Sequence, residues 1–333
     1  MPEQNEKTLL QSKVLEYLKE KDPLHSGLYE IELLPTGHYH TNFKITADGT
    51  SFVLRLSVMQ LSRKSDQIQK EFDVLSYLEP YGIAPSPKYL DLDGFEYPLL
   101  IEEFISGETP HLLNDKSVEK FGRAISSVNT IPLKDGHPFE TRIPNYIVDL
   151  EYYANIWREI QNDTAIEIWK KEVDEFTEQL CGILVNRQSI LDSVKPALIR
   201  RDANPTNFID IGDKYRVIDW EVARVDDPSI TLASFLNEVE LYDFFKEPLD
   251  ENLRNKAIQS FLDETKIPNF DELLKTRLLL ERIWGLIWAL ERIVKFKNGE
   301  IPDVLQKDSL LERYELIARR SRDALVADLK KIK

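Results

Sequence analysis

The sequence predicts an α+β fold in two lobes, a small antiparallel β-rich lobe followed by a larger, mainly helical one. Three observations lead there. The 333 residues suffice for about two domains at ~150 residues each. Strand signals separated by turn formers concentrate in the first hundred residues, whereas helical periodicity dominates after Gly107. Hydrophobic types make up 42% of the chain, and its 12 Gly and 17 Pro are spread out, which excludes fibrous and disordered classes. The division is expected at 1–104 and 105–333.

In the first lobe, Leu9, Leu10, Val14, Leu15 and Leu18 recur at helical spacing and predict an opening amphipathic helix. Tyr29 to Leu33, His40 to Thr46 and Ser51 to Leu56 are short runs rich in β-branched and aromatic residues. Pro35-Thr-Gly37 and Asp48-Gly49 punctuate them, so they read as an antiparallel meander. Leu61 to Leu78 is polar with Ile68, Phe72, Leu75 and Leu78 on one face, a helix lying on that sheet. Two further strands, Lys88 to Leu92 and Tyr97 to Phe104, flank an Asp93-Gly94 turn.

In the second lobe, helices are expected over Ser117 to Asn129, Tyr146 to Ile160, Glu172 to Leu191, Leu232 to Phe244 and Leu273 to Lys297. Only Ala197 to Ile199, Phe208 to Ile211 and Tyr215 to Ile218 read as strands, the last two joined at Gly212-Asp213. No internal repeat and no low-complexity tract is visible.

Charge narrows the function. With 43 Lys+Arg against 58 Asp+Glu the net charge is −15, a field that repels phosphate backbones and draws cations. Nucleic acid is therefore not the expected partner. The single cysteine, Cys181, cannot form an internal disulfide, which suits a reducing compartment. No basic start followed by an apolar stretch and no long apolar run is present, so a cytoplasmic protein without membrane insertion is expected.

The chemistry concentrates in Arg200-Arg-Asp202-Ala-Asn-Pro-Thr-Asn207 and Ile218-Asp-Trp-Glu221. Asp202 leaves an apolar strand, Asn207 enters another five residues later, and Asp219 ends a third. Phosphoryl transfer needs such a set: a carboxylate that takes the proton of the attacking hydroxyl, and hard oxygen ligands for Mg²⁺ on the nucleotide phosphates. In the first lobe, Arg55 sits among apolar neighbours in Phe52-Val-Leu-Arg-Leu56, and Glu71 on the following helix is placed to pair with it. An exposed position on an alternating strand accounts for Arg55 as well.

These motifs resemble the aminoglycoside phosphotransferase and choline kinase group of small-molecule kinases, whose catalytic loop reads H-x-D-x-x-x-x-N and whose metal motif reads I-D-W-E/D. The similarity runs in order over nearly the whole chain and includes Asp227-Pro-Ser-Ile-Thr-Leu-Ala233. It implies a protein-kinase-like fold, ATP and Mg²⁺ as cofactors, Asp202 as catalytic base, and Asn207 with Asp219 as metal ligands. It also implies Gly37 in a phosphate-covering loop, Arg55 and Glu71 at the phosphates, and the Glu103 carbonyl with the Ile105 amide at the adenine. Two positions depart from the pattern: Arg200 replaces a histidine, and Thr231 stands where aspartate is usual.

For the acceptor, Trp284 and Trp288 lie four apart in Leu278-Leu-Leu-Glu-Arg-Ile-Trp-Gly-Leu-Ile-Trp-Ala-Leu290, on one helix face. Core packing and a cation-binding face both account for them, and the same holds for Tyr153 and Trp157. The resembled kinases carry a similar Trp-rich late helix with a Tyr and an Arg further on, as in Tyr314 and Arg319. The sequence reading is thus a kinase phosphorylating a small-molecule hydroxyl, preferably of a cationic amino alcohol or amino sugar, with Glu221, Trp284 and Trp288 as substrate candidates. A kinase of a neutral sugar or thio-sugar competes with it, as does a nucleotide-binding protein without turnover. The joint presence of Asp202, Asn207 and Asp219 discriminates against the last.

Overall fold

The computed structural model describes residues 2–34, 40–57, 67–237, 241, 244–247, 249–301 and 308–332. The chain divides into two compact units. The first comprises Met1–Pro110, Ile131–Glu140 and Thr206–Ala223, and the second His111–Thr130, Thr141–Pro205 and Arg224–Lys333.

The first unit is built on a five-stranded antiparallel sheet of β1 (Tyr29–Leu33), β2 (His40–Ala47), β3 (Thr50–Ser57), β4 (Pro87–Asp91) and β5 (Leu99–Glu103). Its order is β1-β2-β3-β5-β4, so the first three strands meander and the β4–β5 hairpin adds its second strand beside β3. Asp48 and Gly49, at φ of 49° and 76°, form the two-residue turn between β2 and β3, the turn whose twist matches the flanking strands.

The two-residue period of a strand sends alternate side chains to opposite faces. Phe43, Ile45, Leu54, Leu56, Leu99 and Ile101 take one face and pack against Val14, Tyr17 and Leu18 of α1 (Pro2–Lys21). Burying each of these aliphatic or aromatic side chains contributes ~1.5–3 kcal/mol. Register places Arg55 opposite Leu100, and Val53 opposite Glu102, on the other face. There lies α2 (Gln67–Leu78), whose buried residues are Ile68, Glu71, Val74, Leu75 and Leu78. Val74 rather than Phe72 completes the inward face. The expected start of this helix at 61–66 lies outside the described residues. A short hairpin, β7 (Phe208–Asp210) with β8 (Tyr215–Val217), also belongs to this unit.

Beside its helices the second unit contains β6 (Ala197–Ile199), which pairs antiparallel with β9 (Arg224–Asp226), and the short strand Glu140–Thr141 lies on the other side of β9. Its helices are α3 (Asp115–Asn129), α4 (Tyr146–Ile160), α5 (Lys170–Asp192), α6 (Ile230–Leu236), α7 (Glu251–Leu262), α8 (Phe270–Lys297) and α9 (Asp308–Ile332). Asn114 and Asn145 cap α3 and α4 by accepting from backbone N–H groups of their first turns. The 28-residue α8 packs against α4, α5, α6 and α9 and is buried along most of its length. The helix expected over Leu232 to Phe244 is described as α6 through Leu236, and part of the remainder lies outside the described residues.

Candidate active site

In the first unit the site grows from one buried cation. Arg55 is 6% exposed. Its Nη1 lies 3.0 Å from Glu71 Oε1 and 4.0 Å from Glu102 Oε1, and its Nη2 lies 3.5 Å from Asp219 Oδ1. Burial works against the guanidinium charge, and Glu71, Glu102 and Asp219 overcome it, holding Arg55 above its ordinary value. The same burial raises Glu102 to about 7, with Arg55 opposing the shift and Asp219 and Glu103 adding to it. Arg55, Glu71 and Asp219 are thereby brought together, and Glu221 is tied in by Gln67, whose Nε2 donates to Glu221 Oε2 at 2.7 Å.

Asn207 and Asp219 flank the β7–β8 hairpin. The Ile218 amide donates to the Asn207 carbonyl at 2.9 Å, which fixes the two segments side by side. Asp219 holds a left-handed φ of 63°, a conformation costing a non-glycine residue ~1–3 kcal/mol and found where function dictates it. Asn207 is buried at 9% exposure, while the Asp219 side chain keeps 32%.

Glu103 ends β5, and Ile105, 8% exposed, follows it. The Glu103 carboxylate accepts from Arg216 Nη1 at 2.5 Å and Nη2 at 2.8 Å. This bond, more than desolvation opposes it, keeps the carboxyl below its ordinary range. The side chain of Glu103 therefore ties β5 to β8, a role distinct from the backbone contact expected of it. Gly37 lies outside the described residues.

In the second unit, Asp202 follows β6 with its side chain 42% exposed. Its Oδ1 accepts from the Asn204 amide at 2.9 Å, and its Oδ2 lies 3.8 Å from Arg200 Nη2. Arg200 itself is 1% exposed. Arg201 adopts φ 70°, and its backbone N–H donates to Thr231 Oγ1 at 3.3 Å. The loop is thus braced from both sides of Asp202's neighbour.

Trp284 and Trp288 differ in their surroundings although both are half-buried on α8. Trp284 lies with its ring centroid 4.9 Å from Tyr153 and 6.2 Å from Tyr152, at 32° and 34°. Trp288 meets Tyr314 edge-on at 5.7 Å and already carries the Arg292 guanidinium 5.5 Å from its ring centroid. Trp157 is core, with Nε1 donating to Asp174 Oδ1 at 2.8 Å, and Arg319 pairs with Glu315 at 3.6 Å on the surface.

Sequence reasoning passed over Glu102, Arg216 and Glu281. A carboxylate inside the apolar run Leu99-Leu-Ile-Glu102 was the available signal for the first. Glu281 stands one helical turn before Trp284 in a run of buried residues. Arg216 carried no signal, since an alternating strand admits a charged residue on its exposed face.

The donor set fits a hard divalent cation. Asn207 and Asp219 offer an amide and a carboxylate oxygen, as Mg²⁺ prefers. Among the described residues no group of three or more His, Cys, Asp or Glu side chains is arranged to hold a metal alone.

The model of the phosphotransferase enzyme family matches residues 30–273, most of the chain. The chain belongs to that family. This phosphotransferase is accordingly a small-molecule kinase acting on a hydroxyl group. Its fold is shared with an ethanolamine kinase of Plasmodium vivax, at 14% identity and a TM-score of 0.66, over 96% of this chain and 89% of that one. A choline kinase from Cryptosporidium parvum gives 13% and 0.66 over 96% and 95%. A spectinomycin phosphotransferase solved with ADP and spectinomycin gives 11% and 0.60 over 93% and 97%. At these identities the likeness establishes the two-lobed, kinase-like α+β fold of the phosphotransferase. No curated protein sequence matches it. No described helix is long and apolar enough to cross a membrane.

Proposed function

We propose that this phosphotransferase moves the γ-phosphoryl group of ATP to a hydroxyl of a small cationic amino alcohol or amino sugar, with Mg²⁺. The observation that carries the reaction type is the buried Arg55 held between Glu71 and Asp219, a fixed fork suited to phosphate oxygens. Residues 1–104 serve mainly the nucleotide, with Arg55 and Glu71 at its phosphates and the backbone of Glu103 and Ile105 at its base. Residues 105–333 serve catalysis and the acceptor. Asn207 and Asp219 hold Mg²⁺, which supplies charge neutralisation at the phosphates.

Asp202 orients the acceptor hydroxyl and takes its proton as the new oxygen–phosphorus bond forms, the β–γ bridging bond breaks and ADP departs. Arg200 at 3.8 Å fixes the carboxylate that does this. The cationic preference is supported by the Trp284, Tyr152 and Tyr153 rings, by the net charge of −15, and by the ethanolamine, choline and spectinomycin acceptors named for structures of this fold. A cytoplasmic site of action is supported by the single free Cys181.

Coupled ADP release over choline, ethanolamine, aminoglycosides, homoserine and sugars tests the activity. The Asp202→Asn variant is expected to lower turnover on any acceptor found by ~10²–10⁴-fold. Turnover like the parent's would make Asp202 a structural loop residue and remove the mechanism.

A further inference from the structure

Two ionisable side chains of the second unit lack, among the described residues, the partners their burial demands. Glu281 on α8 is 7% exposed. Among the described residues no donor hydrogen-bonds its carboxylate and no cation lies within ion-pairing distance of it. The half-buried guanidinium of Arg201, next to Asp202 in sequence, is likewise without a hydrogen-bond or ion-pair partner among the described residues. A charge taken from water without a partner costs several kcal/mol, which a ligand of opposite charge returns.

The two groups face the same surroundings. Arg201 feels Tyr153, Glu281, Asp149 and Tyr152, and Glu281 feels Arg277, Arg201, Asp149 and Asp227. Arg277 is committed there to two other carboxylates, with Nε donating to Asp227 Oδ2 at 2.9 Å and Nη1 to Asp149 Oδ2 at 2.6 Å. None of its nitrogens lies within ion-pairing distance of the Glu281 carboxylate. One helical turn beyond Glu281 stands Trp284, 4.9 Å from the Tyr153 ring. A carboxylate beside aromatic faces suits an ammonium group, and a planar guanidinium suits a carboxylate or phosphate. Burial pushes the Glu281 carboxyl up, against the pull of Arg277 and Arg201, and a bound ammonium would add to that pull.

We infer that the acceptor is dipolar, carrying beside its hydroxyl an ammonium group received by Glu281 against Tyr153 and Trp284, and an anionic group received by Arg201. The chemical class is a hydroxylated zwitterion, such as a hydroxy amino acid or a hydroxylated betaine. This rests on the proposed phosphoryl transfer to an aminated alcohol and narrows it.

Matched acceptors test the inference in the full chain with Mg²⁺ and ATP: choline against carnitine, and ethanolamine against serine, each read as kcat/KM by ADP release. In at least one pair the dipolar member is expected to exceed the amine alone by about 10- to 100-fold, the worth of one charge-assisted hydrogen bond. Arg201→Gln is expected to bring that ratio near unity, and Glu281→Gln to lower both members of the pair. A purely structural role for either residue would lower all rates and leave the ratio intact. If Arg201→Gln does not fold, the parent's own ratio decides. Equal or better use of the amine alone overturns the dipolar acceptor and leaves the amino-alcohol reading standing. Turnover confined to neutral sugars overturns both.

Discussion

Glu102 offers the sharpest physical test of the cluster around Arg55. It is 5% exposed, and its carboxyl is lifted from 4.5 to about 7 chiefly by desolvation, which Arg55 at 4.0 Å only partly offsets. Between those two values the native chain holds a proton that the unfolded chain has released. The resulting contribution to stability is full below pH 4.5 and is lost as pH rises through 7. The whole excursion is worth at most about 3 kcal/mol. Glu102→Gln is neutral at every pH, so it should match the parent near pH 5 and become the more stable protein by pH 8. For a chain of this length the gain corresponds to about 4 °C in melting midpoint. Urea and thermal unfolding of both proteins from pH 5 to pH 8 measure it. A gap that stays flat, or that widens in the parent's favour at high pH, would refute the reasoning. It would mean that Arg55 keeps Glu102 ionised throughout.

Four further outcomes follow from the structure. Calorimetric titration with ATP should show binding that is strengthened by Mg²⁺, weakened by EDTA, and made insensitive to Mg²⁺ by Asp219→Asn; equal binding in all three conditions removes the metal assignment. Trp284→Leu should weaken binding of an aminated acceptor by ~0.5–2 kcal/mol, read as a raised KM. Trp288→Leu should instead lower the melting midpoint with KM unchanged, because its ring is already occupied by Arg292 and Tyr314, and the reverse pattern would exchange their roles. Gly122→Ala should destabilise by ~1–3 kcal/mol, since a Cβ there strikes Ser260 Oγ and the Ala257 carbonyl of α7; an unchanged unfolding midpoint would contradict the close α3–α7 approach.

What could be read from the sequence follows how local the determinants are. Strand β1, strand β6 and helix α4 fall where their periodicity and flanking turn residues place them, because alternation and helical spacing are properties of a few neighbouring residues. The Asp48-Gly49 turn was legible for the same reason. Helices α7 and α9 were not read: α7 is mostly polar and packs on α3, whereas in α9 Tyr314, Ile317, Ala318, Leu325 and Leu329 do recur at helical spacing. Within the site, Arg55 and Glu71 were legible as an unusual cation in a strand and a carboxylate on the next helix. Glu102 was not, because only the β3–β5 register reveals that it shares a face with Arg55. Glu281 escaped for the complementary reason. Its lack of partners is a fact about α4, α8 and the loop before Asp202 together, and no window of sequence contains all three.

The two departures from the resembled kinases compensate in kind. A histidine before Asp202 would hold the loop through an imidazole, whereas Arg200 offers the five donors of a planar guanidinium. Arg200 is buried to 1%, with its Nη2 3.8 Å from Asp202 Oδ2. Thr231, where aspartate is usual, receives the Arg201 amide through a neutral hydroxyl at 3.3 Å. That bond matters because Arg201 occupies a left-handed backbone conformation, which the chain adopts only where its surroundings enforce it. An aspartate at 231 would place another carboxylate beside a loop that already carries Asp202 and faces Glu281 and Asp149. With a hydroxyl there instead, the loop keeps its anchor while Arg201 keeps its charge uncommitted. With arginine at 200 and threonine at 231, Asp202, the proposed base, keeps a cation beside it and the Arg201 guanidinium is left for the proposed acceptor.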